Sequence, residues 1–183
     1  MMKHYGIVLA GGKSLRMGSD KSLLQRGNQS MLEFTRNLLL NSHCSDVIIS
    51  RNAPGFVADV IPDMGPCSGL HAGLKHLPDA GWLTVLPVDM PLMTSEQLKR
   101  LQSEAEARNC AVYFQASVMP FVVPISDALQ RFVDQAVTGD APNAIKALLA
   151  ALQAQAIPFE HASVFINTNS TVDWQDVQSQ LNL

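Results

Sequence analysis

Residues 5–21 read YGIVLAGGKSLRMGSDK, and the rest of the chain is arranged around them. Ile7-Val8-Leu9 is a continuous apolar run that ends at Gly11-Gly12, the pattern of a fully buried strand feeding a tight loop. The following dozen residues carry Lys13, Ser14, Arg16, Ser19 and Lys21 and almost nothing apolar. Two adjacent glycines let the backbone come close to a ligand and turn its N–H groups towards it. Arg16 can grip phosphate oxygens with a two-pronged donor, and Lys21 can add a point charge. Strand, glycine loop and basic side chains together make a cradle for nucleotide phosphates.

Two familiar phosphate loops do not fit these residues. Gly12-Lys13-Ser14 imitates the end of G-x-x-x-x-G-K-[ST], but the first glycine of that pattern falls on Ile7. The dinucleotide fingerprint G-x-G-x-x-G fails because Gly11 and Gly12 are adjacent.

Bulk properties narrow the remaining classes. A chain of 183 residues without a Ser/Gly/Pro-rich linker, repeat or low-complexity tract reads as one domain spanning residues 1–183. A formal net charge of −3 argues against a surface that coats nucleic acid, so the basic residues near residue 16 are a local feature. Cys44, Cys67 and Cys110 are widely spaced and odd in number, which suits neither a disulfide framework nor a zinc site and points to a reducing cytoplasm. No signal peptide is visible, and no apolar run is long enough to span a membrane.

Beyond the loop, Gly27-Asn28 marks the tip of a small turn. Ser30-Met31-Leu32-Glu33 has the form of a capping box for a helix reaching Asn41. Val47-Ile48-Ile49 reads as a buried strand and Val57 to Ile61 as a third short one. Ser68 is placed to cap a helix running through His76. Trp82 to Leu86 is a strand, and Thr94-Ser95-Glu96-Gln97 opens a helix through Leu98, Leu101 and Ala105. Ala111–Phe114 and Phe121–Val123 are strands, and Ser126 and Asp140 cap helices reaching Ala136 and Leu152. Val164-Phe165-Ile166 is a last strand before a terminal helix from about Thr171. This alternation predicts an α/β domain with a doubly wound, mostly parallel sheet. Ligands of such sheets sit outside the carboxyl ends of the strands, where Gly11–Lys21, Ser50–Asn52, Asp63–Gly69 and Asp89 should meet.

Asp89 is the sharpest single residue among these. A carboxylate directly after a buried strand is costly unless a cation neutralises it, and Mg²⁺ takes one or two carboxylates beside phosphate oxygens and water. Asn169, after the last predicted strand, can add a second oxygen ligand or orient substrate. His71 and His76 are five apart, off a common helix face and without a carboxylate cluster, so they read as ordinary helix or surface residues.

The string LAGGxSxRMGxDK resembles the signature loop of the MobA-like nucleotidyltransferases, specifically the molybdenum cofactor guanylyltransferases. Asp63…Gly65-Pro66-Cys67-Ser68-Gly69-Leu70 is similar to that family's D…GP[LC]xG[LI] segment, and FINTNSTVDW to its closing F-x-N-[VIT]-N-T motif. The resemblance implies a three-layer, Rossmann-like nucleotidyltransferase fold. It implies transfer of GMP from GTP to the terminal phosphate of molybdopterin or its Mo-bound form, with release of pyrophosphate and dependence on Mg²⁺. Arg16, Lys21 and Asp89 would serve catalysis, and Asp89 and Asn169 would hold the metal. Leu9, Ala10, Gly11, Gly12, Ser14, Lys21, Ser50, Asn52, Asp63, Gly65, Gly69, Asp89, Asn167 and Asn169 would bind the nucleotide. Ser50 stands where the family often has Asn. Gly11 makes the motif LAGG, the form of the guanylyl branch, where the cytidylyl branch reads LAAG. Transient contacts with molybdenum cofactor biosynthesis proteins or apo-molybdoenzymes are also implied. One segment departs from the family: Gln115 to Phe121 keeps Pro120 but lacks the His/Gln that usually precedes it, and only Arg131 and Lys146 are cationic after Arg108.

Overall fold

A computed structural model of the chain describes residues 2–11, 20–61, 64–159, 162–165 and 171–180. In chain order these form β1 (His4–Leu9), the short strands β2 (Gln25–Arg26) and β3 (Gln29–Ser30), α1 (Met31–Asn41) and β4 (Cys44–Ser50). There follow α2 (Gly65–Leu74), β5 (Gly81–Pro87), α3 (Ser95–Arg108), β6 (Val112–Phe114) and β7 (Phe121–Ile125). The chain ends with α4 (Asp127–Thr138), α5 (Ile145–Ala151), β8 (Gln155–Ile157) and α6 (Thr171–Gln180).

All six residues of β1 are buried. It lies between β4 and β5 and pairs in parallel with both, Ile7 sitting opposite Ile48 on one side and Val85 on the other. The main sheet of the described residues has the order β4-β1-β5-β7-β6-β8, with β7 running against the other five strands. Parallel neighbours need crossovers rather than hairpins, and helices provide them here. Side chains alternate across the sheet. Ile7, Leu9, Leu83, Val85, Phe121 and Val123 pack with α2, α4 and α5. Val8 and Leu86 point the other way, towards α1, α3 and α6, and Trp82 and Val122 join α3 there. Strands covered on both faces explain why β1 and β5 read as unbroken apolar runs. The architecture is the mostly parallel α/β sheet that the alternation of elements predicts, in the three layers that the resemblance implies.

Local signals hold where the partners are close in sequence. Ser30 Oγ accepts from Glu33 N, and Glu33 Oε2 accepts from Ser30 N, so α1 opens with a complete capping box. Thr94 and Gln97 do the same for α3, and Ser126 caps α4. Gly27-Asn28 turns the β2–β3 hairpin.

Four local expectations are corrected. Ser68 is not a cap: α2 begins at Gly65 with proline in its first turn, and buried Ser68 donates back to Ile61 O at 2.7 Å. Asp140 accepts from Thr138 Oγ1 instead of starting a helix, and α5 begins only at Ile145. Residues 57–61 make a single bridge, Ser50 to Val57, and no strand. Val164 and Phe165 belong to a short 3₁₀ turn, while Ile166 lies outside the described residues. The strand that the sequence did not announce is β8, a three-residue edge strand with a mostly exposed pattern.

Two glycines let α2 lie close to the sheet. A Cβ on Gly73 would sit 2.7 Å from Ile7 Cδ1, and one on Gly69 would sit 2.6 Å from Ser50 Oγ and 2.9 Å from Leu9 Cδ2. Ile7 and Ser50 are buried and have little room to yield. Alanine in a helix interior is favoured over glycine by about 1 kcal/mol, whereas overpacking a core costs roughly 1–3 kcal/mol. Overpacking should therefore win. Gly73→Ala is expected to lower urea stability by about 1 kcal/mol, and trimming Ile7 to Val in the same chain should recover part of that loss; additive losses would show that no clash exists.

Candidate active site

The chain leaves β1 towards β4 and leaves β5 towards the opposite edge of the sheet. Such a reversal opens a crevice above the strand ends. Ala10 N donates to Ser50 O at 2.9 Å and Val88 N to Leu9 O at 3.1 Å, which holds the ends of β4, β1 and β5 side by side. Above them lies a cleft of about 620 Å³. Of the residues singled out in the sequence, Leu9, Ala10, Gly11, Lys21, Ser50, Asn52, Gly65, Gly69 and Asp89 all line it. Gly12, Ser14, Arg16, Asp63, Asn167 and Asn169 lie outside the described residues.

Lys21 and Asp89 come from loops 68 residues apart and meet in this cleft. Lys21 Nζ donates to Asp89 Oδ2 at 3.2 Å, and the two side chains are only 17% and 19% exposed. In such a half-sheltered place an ion pair is screened less than on an open surface. Asp89 supplies one carboxylate just beyond the carboxyl end of β5 and lines the same cleft as Gly11. That donor suits Mg²⁺, which needs few protein ligands when phosphate oxygens and water complete its shell.

The glycines differ in kind. Gly69 is required by packing, as its crowded Cβ position shows, and its neighbour there is Ser50 Oγ. A Cβ on Gly11 would meet nothing within 4 Å among the described residues. Among the described residues, no packing contact demands glycine at this position. Asn52 is engaged in holding its own loop, donating to Asp59 Oδ2 at 3.0 Å and accepting from Asp59 N at 2.7 Å.

Several cleft residues were not singled out in the sequence, although Asp20 stands in the quoted motif and Arg51 in the Ser50–Asn52 loop. Asp20 accepts from Ser22 N at 2.9 Å and Ser22 Oγ at 2.6 Å, capping a 3₁₀ turn over Lys21–Leu23. Its other oxygen accepts from Arg51 at 2.6 Å. Arg51 is 31 residues away, and no spacing rule links it to Asp20. Met119 reaches the cleft because β7 is reversed, which brings the turn before Phe121 to this end of the sheet. The residue directly before Pro120, where the family pattern has His or Gln, is thus an apolar thioether in the cleft wall.

Burial alone would raise the Asp20 carboxyl, but the bonds from Ser22 and the Arg51 guanidinium outweigh it and hold the group below its ordinary value. A carboxyl depressed in the folded state adds stability that is present above the unfolded pKa, near 3.9, and is lost as pH falls towards the folded value. Urea midpoints measured between pH 6 and pH 3 should fall more steeply in the wild type than in Asp20→Asn, with the difference confined to the region below about pH 4. Parallel curves would show that the Arg51 contact contributes nothing.

Comparison with known proteins agrees with this geometry. Residues 6–156 match the family described as the MobA-like NTP transferase domain. A molybdenum cofactor guanylyltransferase of Xanthomonas euvesicatoria is 33% identical over 174 residues, covering 92% of this chain and 91% of its own. A probable molybdenum cofactor guanylyltransferase of Mycolicibacterium paratuberculosis is 31% identical, with 94% and 93% covered. Among solved structures, molybdopterin-guanine dinucleotide biosynthesis protein A of Archaeoglobus fulgidus aligns with a TM-score of 0.77 at 19% identity, over 97% of this chain and 98% of that one. The 2-C-methyl-D-erythritol 4-phosphate cytidylyltransferase of Thermus thermophilus aligns at 0.69 and 16% identity, over 100% of both chains. The structural likeness is one of fold, and the sequence matches carry the family: this chain belongs to the MobA-like NTP transferases and is a nucleotidyltransferase.

Proposed function

We propose that the chain is a Mg²⁺-dependent molybdenum cofactor guanylyltransferase. The observation that carries this reading is the meeting of Lys21 and Asp89 in the cleft beside Gly11, at the end of the strand that opens the family motif. The relatives named for this activity match over more than nine-tenths of the chain, which favours GTP and a molybdopterin as substrates. A phosphate oxygen of the acceptor would attack the α-phosphorus of GTP, the bond from that phosphorus to the bridging oxygen would break, and pyrophosphate would leave. The acceptor is already an anion, so no general base is needed. The obstacle is repulsion between two anionic groups, and the remedy is positive charge fixed in place beforehand.

The Lys21 ammonium is held by Asp89, within a cleft that also presents the backbone of Gly11. It would bind phosphate oxygens and stabilise charge on the departing pyrophosphate. Asp89 would hold the metal, with Asn169 as the expected second ligand; when bound, Mg²⁺ supplies further neutralisation of the phosphates. Arg16 would add a second cation from the glycine loop. Gly11 would bear on the base: the missing methyl leaves space for a two-ring purine, and among the described residues no packing contact fills its Cβ position.

A different acceptor is the second reading, favoured by Met119 in the cleft wall at the segment that departs from the family pattern. Pyrophosphate release with molybdopterin, measured against release with sugar phosphates and isoprenoid-precursor phosphates, separates the two.

Asp89→Ala should abolish pyrophosphate release while leaving the thermal unfolding midpoint near that of the wild type; retained turnover would remove Asp89 from the reaction. Gly11→Ala should leave the midpoint unchanged and move the ratio of kcat/KM for GTP over CTP towards CTP, by about tenfold for the loss of one well-fitting contact. An unchanged ratio would sink the assignment of base selectivity to this position.

A further inference from the structure

Residues 20 and 21 carry opposite charges and reach in opposite directions across the strand ends. Asp20 turns towards the end of β4, where its Oδ2 accepts from Arg51 at 2.6 Å. Lys21 turns towards the end of β5 and donates to Asp89 at 3.2 Å. β1 lies between β4 and β5, so this dipeptide bridges all three strand ends like a clasp.

The Asp20 half of the clasp is fixed by several contacts. On the Asp20 side, the carboxylate caps the turn that begins at Lys21, through the amide and hydroxyl of Ser22. Ser22 is fully buried, so its hydroxyl depends on that bond for satisfaction. Arg51 is itself anchored: its amide donates to Val57 O at 2.8 Å, its guanidinium lies over the Phe56 ring at 5.1 Å, and its side chain is only 15% exposed. It therefore offers Asp20 a donor at a set position rather than a waving surface charge.

We propose that Arg51 is a positioning residue for Lys21: acting through the carboxylate of Asp20, it fixes the turn from which the Lys21 ammonium projects over Asp89. The Arg51–Asp20 pair and the Lys21–Asp89 pair then behave as one unit. This inference rests on the reading that Lys21 serves phosphoryl transfer, because positioning matters only if the positioned group works. A displacement of about 1 Å in such a group can cost on the order of a hundredfold in rate.

The test uses the full chain with lysines labelled at Cε and Nζ, the Lys21 signal being assigned by its loss in Lys21→Met. Arg51→Met and Asp20→Asn should each shift the Lys21 signal in the ligand-free protein and lower kcat by about tenfold to a hundredfold, with smaller changes in KM for GTP. Their double mutant should be no worse than the worse single one, since both break the same link. Arg51→Lys should restore part of both readouts. If Arg51→Met does not fold, Arg51→Lys carries the test through a partial shift of the same signal. An unmoved Lys21 signal, or single effects that multiply in the double mutant, would overturn the proposal. Transfer at wild-type rate by Lys21→Met would instead overturn the reading on which it rests, and the coupling seen by resonance would stand or fall separately.

Discussion

The pairing of β1 with parallel neighbours on both sides is the constraint from which the site follows. A strand paired in this way can be joined to its neighbours only by crossovers that carry the chain back to the same end of the sheet. β4, β1 and β5 therefore finish together, and the loops that follow them share one crevice. Residues 31 and 68 positions apart meet there without any local signal linking them. The bare face of α2 at Gly69 and Gly73 completes the arrangement, since it allows the helix to lie against β1 and β4 with its first turn at the rim of the cleft.

The electrostatics of the cleft are arranged for geometry more than for stability. An ion pair at an exposed site contributes about 0–1 kcal/mol, and even the partly sheltered pairs here are minor beside the three apolar clusters around the sheet. Their value lies in direction. Asp89 and Lys21 hold each other in place, and under the proposed function less reorganisation would be needed as charge develops. The same cleft contains Asp20 and Asp59, each already engaged with a neighbouring side chain or backbone amide. Under the proposed function, the Arg51 contact would limit the repulsion that Asp20 exerts on a nucleotide.

Much of this was legible in the sequence, for physical reasons that differ from element to element. β1 and β5 were plain because a strand buried on both faces is mostly apolar, His4 and Thr84 being the buried polar exceptions. The starts of α1 and α3 were plain because a capping box is a bond between residues three apart. Asp89 was visible because a carboxylate after an apolar run asks for a partner. The start of α2 was misread because Ser68 has the local chemistry of a cap, whereas Gly65 and Pro66 had already begun the helix and tertiary packing had buried the serine. β8 is too short and too exposed to carry a period. Arg51 and Asp20 were illegible as partners for a different reason: each sits in a polar loop, and only the sheet brings them together.

The single reversed strand has a consequence for how such a protein can diverge. Because β7 runs backwards, the connection from β6 to β7 is a short turn of residues 115–120 delivered to the mouth of the cleft, where Met119 forms part of its wall. Gly11, the end of β4 and the end of β5 belong to the first half of the chain, and the turn meets them through Met119. One side of the crevice is thus a short panel between two strands, tied to the rest of the cleft through Met119. Under the proposed function, a lineage could change its acceptor by rewriting half a dozen residues and keep its nucleotide donor.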